Sequence, residues 1–83
     1  MPLDEEYKDL LKSPIADLNN VSEGGFAGAV TAALYLKRFV TETKAWAHFD
    51  MYCWNDKARP GRPQGGEPMV HRALFSLIAE RFK

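Results

Sequence analysis

His48 and Asp50 stand two residues apart, an imidazole and a carboxylate of the kind that hold divalent metal. On an extended backbone both side chains would share a face and could reach one ion. They supply at most two ligands, and the other histidine, His71, falls in a separate helical segment. A structural hydrogen-bonded pair is the competing reading. Asp17-Leu18-Asn19-Asn20-Val21-Ser22-Glu23 has a superficial likeness to a calcium loop, but Val21 occupies its fifth position and no glutamate stands at the twelfth. Asn19 and Asn20 are better suited to tying the loop to its own backbone. Gly24-Gly25-Phe26-Ala27-Gly28 precedes a helical run and could seat an anion at a helix N-terminus. It lacks the spacing of a nucleotide loop, so tight turning and close packing are the expected uses of these glycines. Lys57, Arg59 and Arg62 make a small basic cluster fit for a phosphate or carboxylate, or for a solvated or subunit-contacting loop. Neither Cys53 nor Ser13, Ser22 or Ser76 has the context of an activated nucleophile. From these residues alone no active site assembles.

The elements that must position these groups can be read from periodicity. Residues 2–12 predict a short helix, with Asp4, Glu5 and Glu6 in the first turn and Lys12 at the end, as the helix dipole favours. Ser13-Pro14 stops it, because a residue before proline avoids the helical region. Residues 15–18 predict a short extended segment and residues 19–25 a loop. Residues 26–40 predict a second helix whose apolar residues cover nearly its whole circumference. Such a helix belongs inside something larger, and an isolated piece should leave apolar side chains exposed on at least one flank. Residues 45–51 predict a strand carrying large side chains on both faces, as in the interior of an α/β sheet. Residues 52–67 read as a Pro-, Gly- and Arg-rich loop. Residues 68–82 predict a closing helix whose amphipathic face holds Val70, Ala73, Leu74, Leu77, Ile78 and Phe82. The order is that of an α/β layer. The expected class is α/β, a fragment of an α/β/α sandwich with a mixed central sheet, here three helices and one or two strands.

Composition sets the outer bounds. The 83 residues suffice for one small domain. One cysteine excludes an internal disulfide and fits a reducing compartment. Eleven basic and eleven acidic residues cancel, which removes the electrostatic case for a nucleic-acid or anionic-membrane partner. An acidic N-terminus argues against a secretory leader, and no apolar run approaches the ~20 residues that cross a bilayer. The expectation is a soluble chain with no nucleic-acid or membrane partner.

Three strings carry a resemblance: residues 16–21 (Ala-Asp-Leu-Asn-Asn-Val), residues 27–40 from Ala27-Gly28-Ala29 to Phe39-Val40, and Trp46-Ala47-His48-Phe49-Asp50. Together, in this order and spacing, they closely resemble the C-terminal third of the catalytic domain of the leucyl aminopeptidases, the cytosol-aminopeptidase family. Met1-Pro2-Leu3 and the helix around Tyr7 resemble that family's lead-in, so the likeness runs over essentially the whole chain. It implies that residues 1–83 are the C-terminal part of a metallo-aminopeptidase catalytic domain with an α/β/α fold.

The resemblance further implies a parent enzyme with two divalent metal ions, zinc or manganese, that activate a water for attack on an N-terminal peptide bond. It implies a peptide substrate, a cytoplasmic location, a homo-hexamer, and the remainder of the catalytic domain as partner. The family's metal ligands, catalytic lysine and signature arginine precede this region, so the piece is expected to hold no catalytic residue and no metal ligand and to be inactive alone. Val21 and Tyr52 fall at positions that line the substrate pocket in the family, and Trp54, which follows the same strand, is expected beside that pocket. Where better-known members continue with small residues after the strand, this chain has Tyr52-Cys53-Trp54-Asn55, which would narrow or reshape the pocket. The stretch Arg59 to Gly66 also differs and looks like a lesser-known bacterial branch. Two rival readings are a self-standing module that dimerises through its apolar surface and a catalytically dead descendant that binds peptides or a homologous enzyme.

Overall fold

The computed structural model describes all residues, Met1–Lys83, and divides them into two compact units, Met1–Asp50 and Met51–Lys83. Three helical elements and a two-stranded sheet are present, an α/β composition.

In the first unit a 3-10 helix spans Glu5–Leu11, shorter and tighter than the helix expected over 2–12. The Asp4 carboxylate caps it by accepting the Glu6 N–H at 3.1 Å. The chain then turns on Ser13, whose Oγ accepts from the N–H groups of Ile15 and Ala16 at 3.3 and 3.1 Å. That turn replaces the extended segment expected over 15–18. With its side chain aimed at solvent, Ile15 is 96% exposed, so nothing pins it to a neighbouring strand.

Helix α1 spans Gly28–Lys37 and packs against the 3-10 helix. Leu11, Ala33 and Leu34 form the buried apolar core, with Thr31 beside them. The Thr31 hydroxyl is satisfied by donating to the Ala27 carbonyl at 3.1 Å. The helix is shorter than the 26–40 expected; within that stretch Leu36 on the helix and Phe26 and Phe39 just beyond its ends are in solvent, the exposed apolar flank that the unstriped pattern predicts. At the N-cap it is Ala27, not a glycine, that takes the left-handed conformation, with φ 56°. Gly28 has open space where a Cβ would sit, so the expected close approach of another element at that glycine is not made within this chain.

The strand expected over 45–51 does not form a ladder. Trp46 and His48 are half-buried while Ala45, Ala47 and Phe49 are exposed, so the alternation of a strand is present. Its hydrogen-bonding edges have no neighbouring strand within the unit.

In the second unit the segment read as a loop contains the only sheet. Strands β1 (Trp54–Asn55) and β2 (Gly65–Gly66) pair antiparallel, Trp54 opposite Gly66 and Asn55 opposite Gly65. An inner bridge closes Arg59 on Arg62 through reciprocal N–H···O bonds of 2.8 Å, and Gly61 supplies the positive φ of 72° that this tight turn needs. Helix α2 spans His71–Arg81 and buries none of its residues. The apolar face expected to enter a core is therefore largely in water: Phe75, Leu77, Ile78 and Phe82 are all exposed, while Val70 and Leu74 are half-covered. No helix is long and apolar enough to cross a membrane.

Candidate functional site

The three residues expected at a substrate pocket all present side chains to solvent. Val21 is exposed, and its N–H donates to the Asn19 Oδ1 at 3.1 Å, so Asn19 ties the loop to its backbone as its residue type suggests. The Asn19 N–H in turn donates to the Leu11 carbonyl at 2.8 Å, fastening the loop to the end of the 3-10 helix. Next to Val21, Asn20 and Ser22 line a groove of about 340 Å³ whose other wall is Gly28, Thr31, Ala32 and Tyr35 of α1. The groove is apolar in its depth and carries no acid–base pair.

Tyr52 and Trp54 lead into and begin β1, in the second unit. Alternation along an extended chain puts them on one face. Tyr52 is 63% exposed and Trp54 50% exposed. The Tyr52 hydroxyl lies 3.5 Å from Asp56 Oδ1, at the outer limit of a hydrogen bond. Trp54 faces Gly66 across the ladder, where the absent side chain leaves the indole room.

Two residues that sequence reasoning passed over organise this end of the chain. Asn55 is 6% exposed, and its Nδ2 donates to the carbonyls of Arg62 and Pro63 at 3.1 and 2.8 Å. One side chain thus holds the far limb of the hairpin against the near one. Glu67 is the other: Arg59 Nη2 donates to its Oε2 at 3.3 Å and Arg62 Nη1 to its Oε1, while its N–H donates to the Cys53 carbonyl at 2.8 Å. Arg59 and Arg62 are therefore occupied by an internal carboxylate. A lone glutamate following three cationic residues was the signal available in the sequence. A cavity of about 460 Å³ is bordered by Arg62, Glu67, Met69, His71 and Arg72.

No group of three or more His, Cys, Asp or Glu side chains comes together. His48 stacks on Trp46 with ring centroids 6.3 Å apart and planes 17° from parallel, and its buried Nε2 has no hydrogen-bond partner. Asp50 is exposed. The residues present do not fit a two-metal centre. The resolved electrostatic perturbation lies elsewhere: the Lys8 ammonium, hydrogen-bonded to Glu5, holds that carboxyl below its ordinary value of 4.5.

The family model for the cytosol aminopeptidase family, catalytic domain, matches residues 1–75. The chain belongs to the cytosol aminopeptidase family. A probable cytosol aminopeptidase of Acidobacterium capsulatum is 49% identical over 80 residues, covering 94% of this chain and 15% of that protein. One from Prochlorococcus marinus is 48% identical over 78 residues, covering 92% of this chain and 16% of the relative. Among solved structures, the 1.8 Å crystal structure of the cytosol aminopeptidase from Coxiella burnetii is 47% identical and superimposes with a TM-score of 0.68, over 100% of this chain and 18% of that one. The chain thus spans about 15% of the length of the curated relatives it matches.

Proposed function

We propose that this chain is the C-terminal part of the catalytic domain of a leucyl-aminopeptidase-like metallopeptidase that removes N-terminal amino acids from peptides. The observation that carries the reading is the family match over residues 1–75, joined by 47% identity to a cytosol aminopeptidase of the same local fold over the whole chain. In this reading the 83 residues supply scaffold and pocket wall. The two divalent metals, zinc or manganese, are bound in this reading by residues that precede this segment in the family's catalytic domain. The assembled enzyme is a cytoplasmic homo-hexamer acting on peptides.

Within that enzyme Val21, Tyr52 and Trp54 border the pocket for the N-terminal side chain. The exposure of all three and the shared face of Tyr52 and Trp54 support this role, since neither aromatic is used in a core of this chain. Their bulk takes up volume that a leucine side chain would fill, and a loss of one or two methylenes of space is worth ~1–3 kcal/mol. Tyr52→Ala in the enzyme that contains this segment should shift relative kcat/KM on alanine, leucine and phenylalanine p-nitroanilides by roughly ten- to a hundred-fold toward the bulky residues. Unchanged relative rates would place Tyr52 away from the pocket. Hydrolysis of leucine p-nitroanilide by the purified, metal-loaded 83-residue chain would contradict the scaffold reading itself.

A further inference from the structure

Tyr52 and Trp54 share a face of an extended segment, but the opposite strand does not pack against the Trp54 indole. The residue across the ladder is Gly66, and a Cβ there would meet no atom within 4 Å. The direction of the indole is therefore set by the backbone that carries it. That backbone is held by a ladder of two residues per strand, a length that is marginal by itself.

Glu67, the residue that follows β2, reinforces the hairpin at both ends. Its N–H donates to the Cys53 carbonyl at 2.8 Å, which carries the pairing past Gly66 to the residue between the two aromatics. Its carboxylate reaches back to the tip. There Arg59 Nη2 donates to Oε2 at 3.3 Å and Arg62 Nη1 donates to Oε1, from eight and five residues away in sequence. The two oxygens thus hold both sides of the Arg59–Arg62 bridge. Charge-assisted bonds of this kind are stronger than neutral ones. The Glu67 side chain is 16% exposed, and that partial burial shields the pairs from the screening that weakens surface ion pairs.

We infer that Glu67 is a positioning residue for substrate selection: by clasping the 52–67 hairpin it fixes the angle at which Tyr52 and Trp54 wall the pocket for the N-terminal side chain. The inference rests on the pocket reading given above, and it assigns Glu67 no contact with substrate. With the carboxylate in place the two rings stand at a fixed depth and bulky side chains are disfavoured. Without it the tip opens, the short ladder at Trp54 frays, and the rings withdraw to admit a larger side chain.

The experiment is steady-state kinetics of the enzyme that contains this segment, on alanine and phenylalanine p-nitroanilides, for Glu67→Ala, Glu67→Gln and the double variant Arg59→Ala/Arg62→Ala. The readout is kcat/KM for phenylalanine divided by kcat/KM for alanine. Both substrates meet one preparation, so any unfolded fraction cancels from the ratio. Glu67→Ala should raise it roughly three- to ten-fold, less than deletion of the Tyr52 ring, with the change carried by relative KM. Glu67→Gln keeps an acceptor for one arginine but loses the charge, and should give a smaller rise. The arginine double variant should match Glu67→Ala, since the clasp fails from either side. In a Tyr52→Ala/Trp54→Ala background Glu67→Ala should add less than about two-fold, the non-additivity of residues that act through one another. A ratio unchanged in Glu67→Ala but shifted by Tyr52→Ala overturns the positioning role and leaves the pocket reading standing. A full rise in the background lacking both rings, or no rise in the arginine double variant, also overturns it. Ratios unmoved by Tyr52→Ala, Trp54→Ala and Glu67→Ala alike sink the pocket reading, and the role of Glu67 with it.

Discussion

Replacing Asn55 by alanine tests whether one buried side chain holds the 52–67 hairpin closed. Two donated hydrogen bonds, to the Arg62 and Pro63 carbonyls at 3.1 and 2.8 Å, disappear together. Each net bond of this kind is worth about 0.5–1.5 kcal/mol, so the hairpin should lose about 1–3 kcal/mol. The contacts involved lie within eight residues of Asn55 in sequence, so the effect is local. The reciprocal Arg59 and Arg62 amides, each bonded to the other's carbonyl at 2.8 Å, report on it directly. Their exchange rates should rise roughly 5- to 150-fold in Asn55→Ala, since every 1.4 kcal/mol is a factor of ten in the opening equilibrium. Asn55→Asp is the discriminating companion: it keeps size and an acceptor but has no donor, and a charged carboxylate would face two carbonyl oxygens. It should open the hairpin at least as much as alanine does. Exchange of the two arginine amides that changes less than two-fold in both variants would refute the pin and leave the Glu67 ion pairs as the force that closes the loop.

The other expectations are smaller in scope. Ala27 sits at φ 56°, a conformation that costs a non-glycine residue about 1–2 kcal/mol, so Ala27→Gly should stabilise α1 by up to about that amount, read as increased helicity or a higher urea midpoint. Leu34 is 2% exposed at the centre of the first unit. Leu34→Ala should cost about 2–5 kcal/mol and release the Asn19 amide from the Leu11 carbonyl, visible as faster exchange at Asn19. Because the Lys8 ammonium lowers the Glu5 pKa in the folded chain, the stabilisation from this pair should be present above 4.5 and fade as pH falls through the lowered folded value. NMR titration of the Glu5 carboxyl should give a midpoint below 4.5, and Lys8→Ala should return it toward that value.

Local signals in the chain were enough for much of the first unit. Acidic residues at 4–6, the Ser13-Pro14 stop and the alanine-rich run after Gly28 place two helical elements, because capping, dipole and proline effects act within one turn. The exposed flank of α1 was legible too, since a helix apolar on all sides has more surface to bury than a short chain can cover. Family membership lay in three short strings whose order survives without any knowledge of contacts. Between residues 52 and 67 the same signals failed. Two-residue strands have no period to detect, β2 is Gly65-Gly66, and the pairing depends on Asn55 reaching two carbonyls seven and eight residues away. Arg59 and Arg62 read as a free basic cluster until the turn at Gly61 folded both onto Glu67. The strand pattern at 45–51 is the converse case. Side-chain alternation is a property of the extended backbone and is written in residue order, whereas a ladder exists only when another strand lies about 4.8 Å away, and no residue of this chain brings one there.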